Sequence, residues 1–239
     1  MLPLLLLEKA LVQTGRRQEL PPTCSPVHTM DFPTVLHWRY AAKHFNGQVV
    51  PAPKIDTILE AIRLTASSTG IQPYEIVVVS NHALKGRIHE LACQQPQVVE
   101  GSHLLVFAAQ QTIKEGDVDA YMQRIAQERQ LSLEALAGFS DAIKGGLLPM
   151  SPEVFAQWAA RQAYIALGNG LMAAAMEEVD TCAMEGFNPD ALDELLNLRA
   201  RNLRSVVVLA IGYRDAAKDF LATAKKVRKT RAELFTEIG

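Results

Sequence analysis

Two separated segments of the sequence carry cations spaced so that they could hold an anion. Residues 34–45 (TVLHWRYAAKHF) follow Asp31 and Pro33, a capping carboxylate and an initiating proline, and read as a helix. Arg39 and Lys43 are four residues apart, so on that helix both point to one side. Lys226-Val227-Arg228 lies near the chain's end, where alternate residues of an extended tail project together. Guanidinium and ammonium groups converging from two segments can neutralise a phosphate and leave a further cation for a ring. Ser67, Ser68 and Thr69 supply hydroxyl donors and acceptors at a helix-to-strand corner, and Gly70 permits close backbone approach. Singly, these features are a solvated helix face, a soluble tail and a turn. Their order along the chain, together with Met184-Glu185-Gly186-Phe187 after a short strand, is what joins them.

The elements that must carry these side chains follow from periodicity. Residues 54–66 (KIDTILEAIRLTA) place Ile55, Ile58, Leu59 and Ile62 at helical spacing, and this helix ends in the hydroxyl-rich corner. Residues 74–80 read as a strand, Asn81 caps a short helix over 83–92, and Ser102-His103 leads into a second buried strand, LLVFAA. Residues 117–144 are polar and mostly helical and end in Gly145-Gly146, the pattern of an exposed lid. Ser151-Pro152-Glu153 combines a hydroxyl cap, a first-turn proline and an acidic side chain against the helix dipole. The helix it opens is apolar or small at almost every position, so about 28 residues and roughly 40 Å should be buried nearly all round. A single domain of this size could hardly cover it, which predicts a partner subunit. A short strand near Thr181, a helix, a strand at 205–212 and a basic tail complete the order. The architecture expected is three-layered, mixed α/β or α+β.

Gly168-Asn169-Gly170-Leu171-Met172-Ala173 matches the dinucleotide fingerprint G-x-G-x-x-A, which needs a strand before it and a helix after it. The preceding WAARQAYIAL is helical in character, so these glycines read as close-packing positions between helices. No Walker-type GKS or GKT occurs, and a phosphate must be held by side chains.

Composition sets the outer limits. The 239 residues, 49% hydrophobic, are enough for a substantial core. A net charge of −2 offers no footprint for nucleic acid or an anionic membrane. Cys24, Cys93 and Cys182 are odd in number and lack ligand spacing, which supports neither a disulfide framework nor a metal site and fits a reducing cytoplasm. The apolar run that opens residues 1–29 is too short to span a membrane and lacks a basic start. With proline-rich PPTCSP behind it, this segment reads as a flexible N-terminal extension, and the folded domain as residues 30–239.

WRYAAKHF, ASSTGIQPYEIVVV, QQPQVVEGSHLLVF, WAARQAYIALGNGLMAAA, MEGFNPDAL and KKVRK, in this order and spacing, resemble the FMN-dependent nitroreductases. The likeness is to the oxygen-insensitive NAD(P)H nitroreductase and dihydropteridine reductase group, and it spans Asp31 to Gly239. The resemblance implies an α+β fold, three-layered α-β-α around a mixed, mainly antiparallel sheet, in an interlocked homodimer with a long interface helix. It implies that Arg39, Lys226 and Arg228 hold the FMN phosphate, with Tyr40 and Ala41 beside them. Lys43, Gln94 and Gln97 would lie at the pyrimidine edge of the flavin. Ser67 and Ser68 would come across the dimer interface, and the backbone amides of Glu185 and Gly186 would approach N5 and O4. Thr69 and Phe139 would face the substrate. Tyr40 and Ala41 stand where relatives often carry histidine and serine, Gln94 where asparagine is common, and Ala183 where proline is frequent.

The activity implied is ping-pong hydride transfer from NADH or NADPH through flavin N5 to a nitroaromatic, quinone or pterin-like acceptor. A cation near N1 and O2 would then stabilise the charge that develops on the ring. No general base is named, because His37, His44 and His103 have no partner pattern in the sequence. Two alternatives stand beside this reading: an ene-reductase or flavin reductase on the same fold, and a flavin-free dimeric binding protein.

Overall fold

A computed structural model describes residues 31–239; the expectation of a flexible extension at 1–29 lies outside the described residues. Four strands form one sheet in the order β1-β2-β4-β3, and each neighbouring pair is antiparallel. They are β1 (Tyr74–Val79), β2 (His103–Gln110), β3 (Asp180–Met184) and β4 (Leu203–Gly212). The central strands read as continuous apolar runs because both of their faces are covered. On β2, Leu104, Val106 and Ala108 join one core cluster while Leu105 and Phe107 join the other, the period-two alternation of a strand between two layers.

Helices α1 (Phe32–Trp38) and α2 (Ala52–Arg63) precede the sheet. Helices α3 (His82–Leu91) and α4 (Pro96–Glu100) follow β1, and Asn81 caps α3 as expected by accepting from Leu84 N. After β2 come α5 (Glu115–Arg129), α6 (Ala137–Leu147) and the long α7 (Pro152–Met176); α8 (Pro189–Leu195) joins β3 to β4, and α9 (Arg231–Leu234) lies in the tail. Ile55, Ile58 and Ile62 of α2 and Ala163, Ala166 and Leu167 of α7 pack on one face of the sheet. Ile88, Val98 and Leu192 of α3, α4 and α8 pack on the other. The three-layer α+β expectation is borne out, and all the strand pairs are antiparallel.

Two expectations are corrected. The helix read over 34–45 stops at Trp38: Arg39 has φ −71° and ψ 139°, and the chain runs on extended. Ala41 bridges Thr181 of β3, Phe45 bridges Arg214, and Ala42 N donates to Thr181 O at 3.2 Å, so hydrogen bonds to the sheet displace those of the helix. Arg39 and Lys43 therefore do not share a helical face. Helix α7 has 25 residues, and within one chain only one side of it is buried. Arg161, Tyr164, Ile165, Gly168 and Asn169 form an exposed side.

The glycine pair of α7 divides accordingly. A Cβ on Gly170 would lie 2.9 Å from Ile62 Cδ1, so this glycine lets α7 close onto α2, whereas a Cβ on Gly168 would meet nothing within 4 Å. No strand precedes the pair, which removes the dinucleotide reading. The segment read as a lid is helical as expected, but α5 and α6 share a small core of their own: Val118, Met122, Ile125, Leu136, Ile143 and Leu147.

Candidate functional site

The site grows from the point where α1 ends. Asp31 caps α1 by accepting from Thr34 N at 3.1 Å, with proline in the first turn. At the other end the last carbonyls of a helix lack internal partners, and a cation there meets both those oxygens and the negative end of the dipole. Lys226 takes this position: its Nζ donates to Leu36 O and Arg39 O. The C-terminal segment, irregular over 224–230, is thereby fastened against α1.

Arg39, Lys226 and Arg228 form one electropositive cluster. Burial and then the charge of Arg228 lower the pKa of Arg39. Burial and then Arg39 and Arg228 lower that of Lys226. Among the described residues none of the three pairs with a carboxylate, and the buried Arg39 Nε has no hydrogen-bond partner. Repelling cations with an orphaned donor lack an anion, and a phosphate supplies the charge and the acceptor oxygens together. A cavity of about 340 Å³ opens beside them, lined by Trp38, Tyr40, Ala41 and Arg214 as well as the cluster.

Arg214 belongs to the wall and not to the anion site. Its Nε donates to Asp180 Oδ1 at 2.7 Å, and its guanidinium lies 4.4 Å from the Trp38 ring centroid and 4.5 Å from that of Tyr40. Tyr40 faces Asp219, to which its hydroxyl donates at 3.0 Å. Burial and then the bond to Asp219 push its phenol up to about 12, so it stays a protonated donor.

Beyond the cluster, Lys43 and Gln97 converge on Cys182 of β3. Gln97 is 2% exposed; its Nε2 lies 3.8 Å from Cys182 Sγ, and its Oε1 is buried without a partner. Burial raises the Cys182 pKa, although Lys43, Gln97 and Arg39 oppose the shift, so the thiol is a neutral floor to this part of the site. Glu185 and Gly186 follow β3 directly. Gly186 O lies 3.9 Å from Cys93 Sγ, and a Cβ on Gly186 would lie 3.8 Å from Gln95 Nε2. Both Gln94 and Gln95 are exposed, and it is Gln95 whose amide lies beside the Gly186 turn. Two adjacent identical residues give no sequence signal by which to choose between them.

Sequence reasoning also missed Asp219, Arg214 and Tyr164. Each acts on a partner far along the chain: Asp219 on Tyr40, Arg214 on Asp180, and Tyr164 on Glu185.

The hydroxyl corner is occupied by its own bonds. Ser67 Oγ accepts from Gln72 N at 3.1 Å and Thr69 Oγ1 donates to Ser68 O at 2.7 Å. Ser68 N donates to Gln162 Oε1 of α7 at 2.8 Å. Thr69 itself has a positive φ of 58°, and Thr69 O accepts from Tyr121 of the lid at 2.8 Å. Gly70, at φ 80°, has a backbone conformation that side-chain-bearing residues rarely adopt, and a Cβ there would also displace the Tyr121 hydroxyl. Within one chain Ser67, Ser68 and Thr69 do not line the cavity beside Arg39, and Phe139 packs against the core of the lid. A larger cavity of about 580 Å³ lies between α2, β1 and α5, and none of the expected residues lines it.

This fold has known counterparts. The Nitroreductase family model matches residues 36–213, and the chain belongs to the nitroreductase family. Over 208 residues it is 29% identical to the major NAD(P)H-flavin oxidoreductase of Aliivibrio fischeri, which covers 84% of this chain and 95% of that protein. In fold it is similar to a candidate nitroreductase from Exiguobacterium sibiricum solved in complex with FMN, with a TM-score of 0.75 and 17% identity over 87% of this chain and 98% of that one. It is likewise similar to CLA-ER, an enone reductase of gut-bacterial fatty acid saturation, with a TM-score of 0.70 and 16% identity over 87% of this chain and 97% of that one.

Proposed function

We propose that this protein is an FMN-carrying NAD(P)H oxidoreductase that passes electrons to a nitroaromatic, quinone or pterin-like acceptor by ping-pong turnover. The observation that carries the reading is the uncompensated cluster of Arg39, Lys226 and Arg228 with the orphaned Arg39 Nε. Its support from relatives is the family membership and the name of the Aliivibrio relative.

In this reading Arg39, Lys226 and Arg228 hold the phosphate, with Tyr40 and Ala41 in the wall. Lys43, Gln97 and Gln94 or Gln95 meet the polar edge of the ring, and the Glu185–Gly186 backbone meets the opposite edge. Bound FMN would supply the hydride-accepting and hydride-donating centre. The chain's own part is to orient it and to keep Lys43 where negative charge accumulates. The exposed side of α7 is the interface of a homodimer, and Ser67 and Ser68 reach the site from the partner subunit. Thr69 and Phe139 face the acceptor. No described helix is long and apolar enough to cross a membrane, and a cytoplasmic location is part of the proposal.

The test is the visible spectrum of the purified protein before and after anaerobic NADH or NADPH, with the released cofactor identified by chromatography. FMN bleached by the nucleotide supports the reading. A colourless protein that cannot be reconstituted with FMN overturns it in favour of a flavin-free binding protein. The likeness in fold to an enone reductase keeps a second acceptor class open, so the acceptor panel should include an enone and free flavin.

A further inference from the structure

We propose that Asp219 is the positioning residue of this site: one buried carboxylate holds the extended Arg39–His44 segment against the C-terminal segment, so that the cations of both form a single phosphate cradle. The inference rests on the FMN reading above. Asp219 is 4% exposed. Its Oδ2 accepts from Lys43 N at 2.7 Å and from the Tyr40 hydroxyl at 3.0 Å, and its Oδ1 accepts from Leu221 N at 2.9 Å. Oδ2 thus ties the Arg39–His44 segment to the C-terminal turn while Oδ1 closes that turn on itself, and Asp219 makes no ion pair with the cations it organises.

The position of Asp219 explains why it can do this. The turn that carries it docks on the same segment, with Asp215 N donating to His44 O at 3.0 Å and Asp219 N to Asp215 O at 2.9 Å. The chain then runs directly on to Lys226 and Arg228. Residues 39–45 have helical sequence character and leave the helix only because tertiary donors and acceptors claim their backbone; the carboxylate claims Lys43 N, between the bridges at Ala41 and Phe45. Bonds from backbone amides and the Tyr40 hydroxyl outweigh the burial that would raise the Asp219 pKa and hold it below the ordinary carboxylate value, so the acceptor is ionised at neutral pH.

Electrostatics and positioning predict opposite signs, which makes the idea testable. Removing a negative charge from a cation cluster would by Coulomb's law alone tighten phosphate binding. Asp219→Asn keeps the shape but turns an amide N–H toward either Leu221 N or the Lys43 N and Tyr40 hydroxyl pair, and it removes the charge that strengthens the remaining bonds, so the hold on the segment loosens and phosphate binding should weaken.

The measurement is titration of flavin-stripped full-length protein with FMN and with riboflavin, followed by flavin fluorescence quenching. Riboflavin lacks the phosphate, so the ratio of the two dissociation constants isolates the cradle from the general health of the fold. We expect Asp219→Asn to weaken FMN by about tenfold or more and riboflavin by less than about threefold, with the smaller lesion Tyr40→Phe weakening FMN in the same direction. An unchanged or increased preference for FMN in Asp219→Asn, or equal weakening of both flavins, overturns the proposal. If Asp219→Asn does not fold, Tyr40→Phe carries the same measurement, and a wild-type ratio there overturns it. Wild-type protein that binds neither flavin would instead overturn the functional reading, so the two failures are distinct.

Discussion

The Tyr164 hydroxyl, midway along α7, donates to Glu185 Oε1 at 2.6 Å and so fastens the long helix to the turn after β3. Burial and then Glu185 push the phenol far above its ordinary value, which keeps it a donor throughout the physiological range. Tyr164→Phe should cost about 1 kcal/mol of stability and speed FMN loss, because the Glu185–Gly186 turn loses a hydrogen bond to α7. Thermal unfolding and the rate of flavin fluorescence release check this; two unchanged values would show that the bond holds nothing.

Arg228→Ala should lower FMN affinity by about tenfold to a hundredfold, the range of one charge-assisted contact, and leave the fold intact, since Arg228 is exposed and packs in no core. Flavin content after gel filtration measures it, and full occupancy would remove Arg228 from the site.

His103 gives the expected pH dependence. Burial and then Lys85 lower its pKa, so the folded state binds a proton less readily than the unfolded chain. The unfolded chain therefore takes up more protons as pH falls through about 6.5, and stability should drop there. His103→Gln should flatten the melting temperature between about pH 7 and pH 5 relative to wild type. An equally steep wild-type and variant profile would assign the slope to other groups.

The two α7 glycines should respond differently. Gly170→Ala forces its Cβ to 2.9 Å from Ile62 Cδ1, and overpacking of about 1–3 kcal/mol outweighs the helix gain of about 1 kcal/mol. A Cβ on Gly168 meets nothing within 4 Å and the position faces outward, so the monomer fold should tolerate Gly168→Leu. In the proposed dimer it should raise the dissociation constant, as read by analytical ultracentrifugation. A dimer as tight as wild type would move the interface off this side of α7.

A chain beginning at Met30 should fold and bind FMN as the full chain does, since Asp31 already caps α1. Circular dichroism and flavin titration test this, and an aggregated product would make residues 1–29 structural.

Much of the fold was legible because its signals are local. The continuous burial of LLVFAA on β2, the Asn81 cap and the Ser151-Pro152 start each depend on residues within one turn or one strand, and each stands where it was expected. Of the residue types singled out in the sequence, Arg39, Lys226 and Arg228 do meet, as do Lys43 and Gln97 around Cys182. The geometry that brings them together was not legible. The helical spacing of Arg39 and Lys43 was a misleading local signal, overridden by hydrogen bonds to Thr181 and Asp219, far along the chain. The choice of Gln95 over Gln94 at Gly186, and the local use of the Ser67 and Thr69 hydroxyls, depend likewise on contacts that spacing does not encode.

The sequence by itself determined the layers, the strands and the inventory of cations, because periodicity and caps are short-range physics written within a few residues. Only the tertiary structure decided where α1 ends, which oxygen Lys43 N meets and why Arg39 Nε is left without a partner. Those outcomes are competitions between a local hydrogen bond and a distant one, and only the folded chain brings the distant partner within reach.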